Sequence, residues 1–243
     1  MTSEKSHSEN TSISQLLEEF SSGSIRRRRA LLQQIEDSAR DLATLGPSLL
    51  NQFDPKGDDW SVGWILQVIK RHHPEDLSKI LPSDRSDGWF EISSDKGINY
   101  APLQSFLLEQ QFEEADRYTS SMLRKLAGKA AEARGYVYFS EVADIPGLDL
   151  QTIDRLWIAY SQGKFGFTVQ SRILGALSGR FERLWPRIGW KKDGVWTRYP
   201  RAFTWSLEAP EGHMPLVNQL RGVRLMDSIL RHPSIALRHD NCL

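Results

Sequence analysis

Apolar residues recur along most of this chain at intervals of three and four, the period of amphipathic helices. In the first third, Ile25, Leu31, Leu32, Ile35 and Leu42 fall on one helical stripe. Gly46-Pro47 is expected to end it, because proline lacks an N–H donor and crowds the preceding turn. Trp60, Trp64 and Val68, each four apart, mark a second helix with Ile65 and Ile69 beside them, ending near His72-His73-Pro74. Pro102 suits a first helical position, and Leu103, Phe106 and Leu107 follow it. Phe112, Ala115, Met122, Leu123 and Leu126 predict a longer helix that stops near Gly128. Asp149 is placed to cap a helix carrying Ile153, Leu156, Trp157 and Tyr160, and Gly163 stands where a left-handed C-terminal cap is expected. Residues 165–169 alternate as a strand would, yet Phe165, Val169, Ile173 and Ala176 also fit a helix. With no partner strand evident, helix is the reading. Trp185, Trp190, Trp196 and Trp205 lie among prolines and glycines and predict short helical turns and ordered loops. A last helix is expected over residues 215–231, with Leu216, Leu220, Val223 and Ile229 inward.

These elements define an all-α chain: an N-terminal helical bundle, then a helical core domain with long ordered loops. No internal repeat stands out. Residues 1–12 read as a disordered lead, 13–82 as the bundle, 83–100 as a connector rich in Ser, Asp and Gly, 101–238 as the core, and 239–243 as a tail.

Composition narrows the class. At 243 residues, with 40% hydrophobic and 26% charged positions, the chain resembles an ordinary soluble globular protein. No apolar run is long enough to span a bilayer. The polar first dozen residues have neither the apolar stretch of a signal peptide nor the Arg-rich character of a transit peptide. The protein is therefore expected to stay where it was made, or to have lost a transit peptide already. Cys242 is the only cysteine, which excludes an intramolecular disulfide or a cysteine metal cluster and suggests a reducing cytosol.

Net charge is zero but unevenly spread: residues 155–238 hold 14 Lys/Arg against 5 Asp/Glu. That excess suits an anionic partner, or a solvated basic face with no dedicated ligand. Residues 26–29 are four consecutive arginines; without interleaved aromatics they read as the wet face of a helix starting near Ser24, not as a nucleic-acid site. His72 and His73 read as a helix terminus, where cationic side chains suit the dipole, not as metal ligands.

Catalytic signatures are missing. There is no glycine-rich phosphate loop, no Gly-x-Ser-x-Gly elbow and no His-Glu-x-x-His. No enzymatic activity and no metal site are expected. What remains is an aromatic-rich, arginine-rich second half, suited to a flat apolar ligand with acidic arms. Arginine grips carboxylates through paired, charge-assisted hydrogen bonds. Arg221 and Arg224, three apart, would share one helix face; pairing with Asp227 and neighbouring acids is the plainer alternative.

Several blocks carry a family resemblance: Asp149-Leu-Gln-Thr-Ile-Asp-Arg-Leu-Trp157, Ser161-Gln-Gly-Lys-Phe-Gly-Phe-Thr-Val-Gln170, Phe203-Thr-Trp205 and Ala209-Pro-Glu-Gly-His213-Met-Pro215. In order and spacing they resemble the genomes-uncoupled-four family over roughly residues 98–233. The helical module in front is similar to the layout of cyanobacterial members. The resemblance implies an all-helical core with a cupped apolar site for protoporphyrin IX or magnesium-protoporphyrin IX, no required cofactor and no catalysis. It also implies stimulation of magnesium chelatase, through that enzyme's large porphyrin-binding subunit, in chlorophyll biosynthesis. A cytoplasmic location is implied, with peripheral association at the thylakoid membrane left open. Transferred to this sequence, the resemblance places Phe139 in the wall of the site, Tyr199 and Phe203 in a loop covering the ligand, and Asn218, Arg221 and Arg224 at its polar end. Tyr199 stands where close relatives often carry Trp, and Leu174 where an aromatic is common. The alternative is a protein-interaction scaffold for the chelatase with little porphyrin binding of its own.

Overall fold

The structure is a computed structural model that describes residues 13–81, 88–217 and 223–240. Helix α1 covers residues 13–22, followed by α2 (Ile25–Glu36), α3 (Ala39–Leu50), α4 (Trp60–His72) and α5 (Pro74–Ile80). The core adds α6 (Ala101–Leu108), α7 (Phe112–Ala127), α8 (Lys129–Arg134), a 3-10 turn (Phe139–Asp144), α9 (Gly147–Tyr160), α10 (Phe167–Ala176) and α11 (Phe181–Arg187). A two-stranded hairpin, β1 (Lys191–Lys192) with β2 (Val195–Trp196), interrupts the helices before α12 (Arg224–Leu230) and α13 (Pro233–Asp240). The all-α class holds, with this one small sheet among the described residues.

Helix α4 joins the two halves. Residues 60–69 are buried all round, as expected of a helix enclosed on every side. It packs between α3 and α5 on one side and α6 and α9 on the other. The approach to α9 depends on Gly63, where an added Cβ would lie 2.1 Å from the Ala159 carbonyl oxygen. One turn on, the Gln67 side chain donates to the carbonyls of Leu107 (3.0 Å) and Tyr160 (2.8 Å), satisfying orphan acceptors at the C-terminal ends of α6 and α9. Arg155 on α9 reaches back to the carbonyls of Pro55, Gly57 and Glu91. Arg238 on α13 clasps Asp58 of the front module and the fully buried Asp154 of α9. Asp154 in turn accepts from the Thr168 N–H (2.9 Å) and hydroxyl, capping α10 from a neighbouring helix. The apolar core is continuous from Ile13 to Ile235.

The arginine run behaves as a helix face. Ser24 caps α2 by accepting from the Arg27 N–H; Arg27 pairs with Glu19 and Arg28 with Asp59. Several sequence expectations are corrected. Gly46-Pro47 lies inside α3, and the break falls at residues 37–38. Leu42, Gly46, Leu49 and Leu50 all bury there, and Gly46 sits against Ile69 of α4, so packing outweighs the lost proline N–H. Ile25 is exposed at the start of α2, outside the buried stripe. Asp149 does not cap α9. It is buried in the first turn, accepting from the Ser94 hydroxyl, the Asp95 N–H and the Tyr100 hydroxyl, and so anchors the stretch before α6. That stretch, read as part of a connector, buries Trp89, Phe90 and Tyr100. The helix expected over residues 215–231 as the last one starts at Arg224 as α12, not at Pro215, because the Leu216 N–H and the Pro215 carbonyl are taken by the side chains of Asp116 and Gln170, and α13 follows it. Leu220 lies outside the described residues, as does the lead at 1–12.

Candidate functional site

A cavity of about 1110 Å³ opens between α7, the 3-10 turn, the hairpin region and α12. Ligand sites commonly measure roughly 300–1,000 Å³, so this one suits a large ligand. Its apolar walls come from Leu123, Val137, Ile145, Leu216, Val217, Leu225 and Ile229.

Aromatic rings supply the rest. Tyr136 and Tyr138 meet edge-to-face at 5.3 Å, and the Arg134 guanidinium stacks 4.1 Å from the Tyr138 ring while pairing with Glu141. Trp190 is buried, stacked 5.7 Å from Trp185 and held by its N–H to the His213 carbonyl (2.8 Å). Trp196 projects from the hairpin with the Lys191 ammonium 4.6 Å over its ring. The hairpin turns at Asp193-Gly194, both at positive φ (51° and 80°), the backbone a type I′ turn requires.

Four of the six residues singled out from the sequence meet at this cavity. Phe139 opens the 3-10 turn and is 44% exposed, with the Arg224 guanidinium 5.3 Å over its ring. Tyr199, also 44% exposed, and Phe203, 8% exposed, pack edge-to-face at 5.7 Å. Phe203 continues onto Trp205 (5.6 Å) and the buried His213 ring (4.9 Å). Burial holds His213 below its usual pKa, and its Nδ1 faces the Ile188 carbonyl. Asn218 and Arg221 lie outside the described residues; the segment that carries them follows Val217, a wall residue. Leu174 is buried on α10 and does not line the cavity.

Positive charge gathers at the mouth. Arg117, Arg124, Arg198 and Arg224 all line the cavity. Arg117 pairs with Glu113, but among the described residues no carboxylate pairs with Arg124, Arg198 or Arg224. Asp227, the expected surface partner of Arg224, bonds Arg231 instead (2.8 Å).

Arg117, Arg124, Tyr136 and Tyr138 also line the cavity and carry no sequence signal of it, while Trp190 is both packed in the core and part of the wall. The sequence reading missed Asp116, 1% exposed on the inward face of α7. Its Oδ1 accepts the Leu216 N–H (2.6 Å) and its Oδ2 the Tyr199 hydroxyl (3.2 Å). A carboxylate set among Phe112, Ala115, Thr119 and Met122 on a buried helical stripe was the readable signal.

A helical body with a wide aromatic cavity and an arginine-lined mouth defines a ligand-binding protein of the helical class. Comparison with known proteins narrows this. A profile of the GUN4-like family matches residues 93–233, and the chain belongs to that family. The Ycf53-like protein of Synechocystis sp. is 47% identical over 173 residues, 71% of this chain and 74% of that protein. The chloroplastic tetrapyrrole-binding protein of Arabidopsis thaliana is 40% identical over 148 residues, 57% of this chain and 56% of that protein. Among solved structures, GUN4 from Chlamydomonas reinhardtii superposes with a TM-score of 0.57 at 38% identity, over 60% of this chain and 93% of that one. The ligand-free structure of Arabidopsis thaliana GUN4 gives 0.53 at 39% identity, over 59% and 98%.

Proposed function

We propose that this protein binds protoporphyrin IX or magnesium-protoporphyrin IX without transforming it, and stimulates magnesium chelatase in chlorophyll biosynthesis by engaging that enzyme's large porphyrin-binding subunit. The observation that carries the binding half is the cavity itself: aromatic and aliphatic walls beneath Arg124, Arg198 and Arg224, which no described carboxylate neutralises. Burying a macrocycle's apolar faces contributes roughly 25 cal/mol per Å². Its carboxylate arms would meet Arg224 at the mouth, with Asn218 and Arg221 supplying the rest of the polar end and Phe139, Tyr199 and Phe203 the rings that enclose it. Family membership and the Arabidopsis relative's tetrapyrrole-binding name support the ligand class. The chelatase partnership rests on the family alone.

No helix among the described residues is long and apolar enough to cross a membrane. The proposed location is cytoplasmic, with peripheral contact at the thylakoid surface. The test is direct. Trp190 and Trp196 line the cavity, so titrated deuteroporphyrin is expected to quench tryptophan emission at micromolar concentration. Absent quenching, combined with intact capture of the chelatase's large subunit, would favour the scaffold reading instead. The stimulation half is checked by adding the protein to a chelatase assay and following metal insertion.

A further inference from the structure

Two walls of the cavity come from distant parts of the chain and meet on one carboxylate. Asp116 lies on the buried face of α7, one residue before Arg117, a residue of the mouth. Its Oδ2 accepts the hydroxyl of Tyr199, whose ring packs against Phe203 (5.7 Å) and Trp205 (5.8 Å). Its Oδ1 accepts the N–H of Leu216, which lines the cavity and leads through Val217 toward Asn218 and Arg221.

We infer that Asp116 is a positioning residue of the binding cavity: ionised, it ties the Tyr199 wall and the Leu216 wall to α7, and on protonation it loosens the Tyr199 wall. The inference rests on the binding function proposed above and adds its control by pH. The chemistry follows from donor and acceptor counts. An ionised carboxylate accepts from both donors at once. A neutral one keeps a carbonyl oxygen for the Leu216 N–H but carries a proton, taken from solvent, on the other oxygen. Tyr199 must then turn from donor to acceptor, and a charge-assisted bond becomes a neutral one of about half the strength.

The surroundings place this change near neutrality. Burial pushes the Asp116 carboxyl up to about 7. The Leu216 N–H and the Tyr199 hydroxyl pull the other way, and on its own helix Glu113 raises it while Arg117 lowers it. The Tyr199 hydroxyl is pushed up to about 12, mainly by burial and by Asp116, so it stays protonated across the range concerned.

The experiment compares the full-length protein with Asp116→Asn and Tyr199→Phe. Asparagine has the shape of the neutral acid: its carbonyl serves Leu216 and its amide donates to Tyr199. Deuteroporphyrin affinity of the parent is expected to be roughly tenfold tighter at pH 8 than at pH 6, the scale of a hydrogen bond to a charged group. Asp116→Asn should hold the parent's pH 6 affinity at every pH, and Tyr199→Phe should flatten the profile even if the asparagine variant fails to fold. A parallel readout needs no ligand. Tryptophan emission of the free parent, reported by Trp205 and the cavity tryptophans, should step near pH 7 and not do so in Asp116→Asn. If deuteroporphyrin fails to bind at any pH while that step appears only in the parent, the binding function falls and the role of Asp116 stands. The same pH step in Asp116→Asn as in the parent, or no step in the parent, overturns the inference.

Discussion

Gly63→Ala measures how closely the front helices are seated on the core. The substitution sets two effects against each other. Alanine is favoured over glycine inside a helix by about 1 kcal/mol. Against that, the new Cβ would stand 2.1 Å from the Ala159 carbonyl oxygen, 2.7 Å from its carbonyl carbon and 3.1 Å from the Tyr160 Cα. A carbon normally approaches a carbonyl oxygen no closer than about 3.3 Å, so α4 and α9 must part by about 1 Å. The obstacle is backbone, with no rotamer to relieve it, and overpacking of this kind costs roughly 1–3 kcal/mol or more. The Gln67 bonds to Leu107 and Tyr160 lie one turn along the same interface and would lengthen with it. The net expectation is a loss of about 2 kcal/mol, read as a lower urea midpoint. Gly46→Ala is the control. Its Cβ would meet only the tips of Ile69, at 3.2 Å, and Ile80, at 4.0 Å, and stability should stay within about 1 kcal/mol of the parent. A Gly63→Ala protein as stable as the parent would refute the close seating of α4 on α9.

Three further outcomes follow from named contacts. Arg238→Ala strands the fully buried Asp154 and removes the clasp to Asp58; a loss of about 3–5 kcal/mol in chemical denaturation is expected, and a loss below 1 kcal/mol would show that Thr168 alone satisfies Asp154. Asp116 should make stability depend on pH in an unusual direction. Its folded pKa is raised from 3.8 to about 7, so the folded state binds the proton more tightly and stability falls as pH rises from about 4 through 7. At 1.36 kcal/mol per tenfold in proton affinity this reaches about 4 kcal/mol. Asp116→Asn should therefore gain on the parent at pH 8 and not at pH 4; an unchanged difference across that range would contradict the burial argument. Finally, Arg224→Ala should weaken porphyrin binding by about 1.5–3 kcal/mol with little effect on melting temperature, and unaltered affinity would place the ligand's carboxylates in solvent.

Much of the helical pattern was legible because burial has the helix period. Trp60, Trp64 and Val68 mark α4 correctly, whereas the left-handed cap of α9 falls one residue before Gly163, on Gln162 (φ 54°), and Gly163 closes the turn with its N–H on the Ile158 carbonyl (3.0 Å). Local signals failed where tertiary partners overrode them. Pro47 sits inside α3 because the face around it is buried, and Asp149 serves Tyr100 and Ser94 in place of its own helix end. Residues 215–217 stay out of the helix because Asp116, a hundred positions away, takes the Leu216 N–H. The hairpin was readable: Asp193-Gly194 is a type I′ signature, obscured by strands of two residues each. At the site, family resemblance marked Phe139, Tyr199, Phe203 and Arg224, and they share one cavity. Asp116 escaped notice because no local rule says what a buried carboxylate will find across the core.

Soaking or co-crystallising the protein with deuteroporphyrin tests the central idea most directly. The macrocycle is expected between Phe139 and Phe203, with at least one carboxylate within hydrogen-bonding reach of Arg224. A ring bound elsewhere on the surface, with this cavity empty, would contradict it.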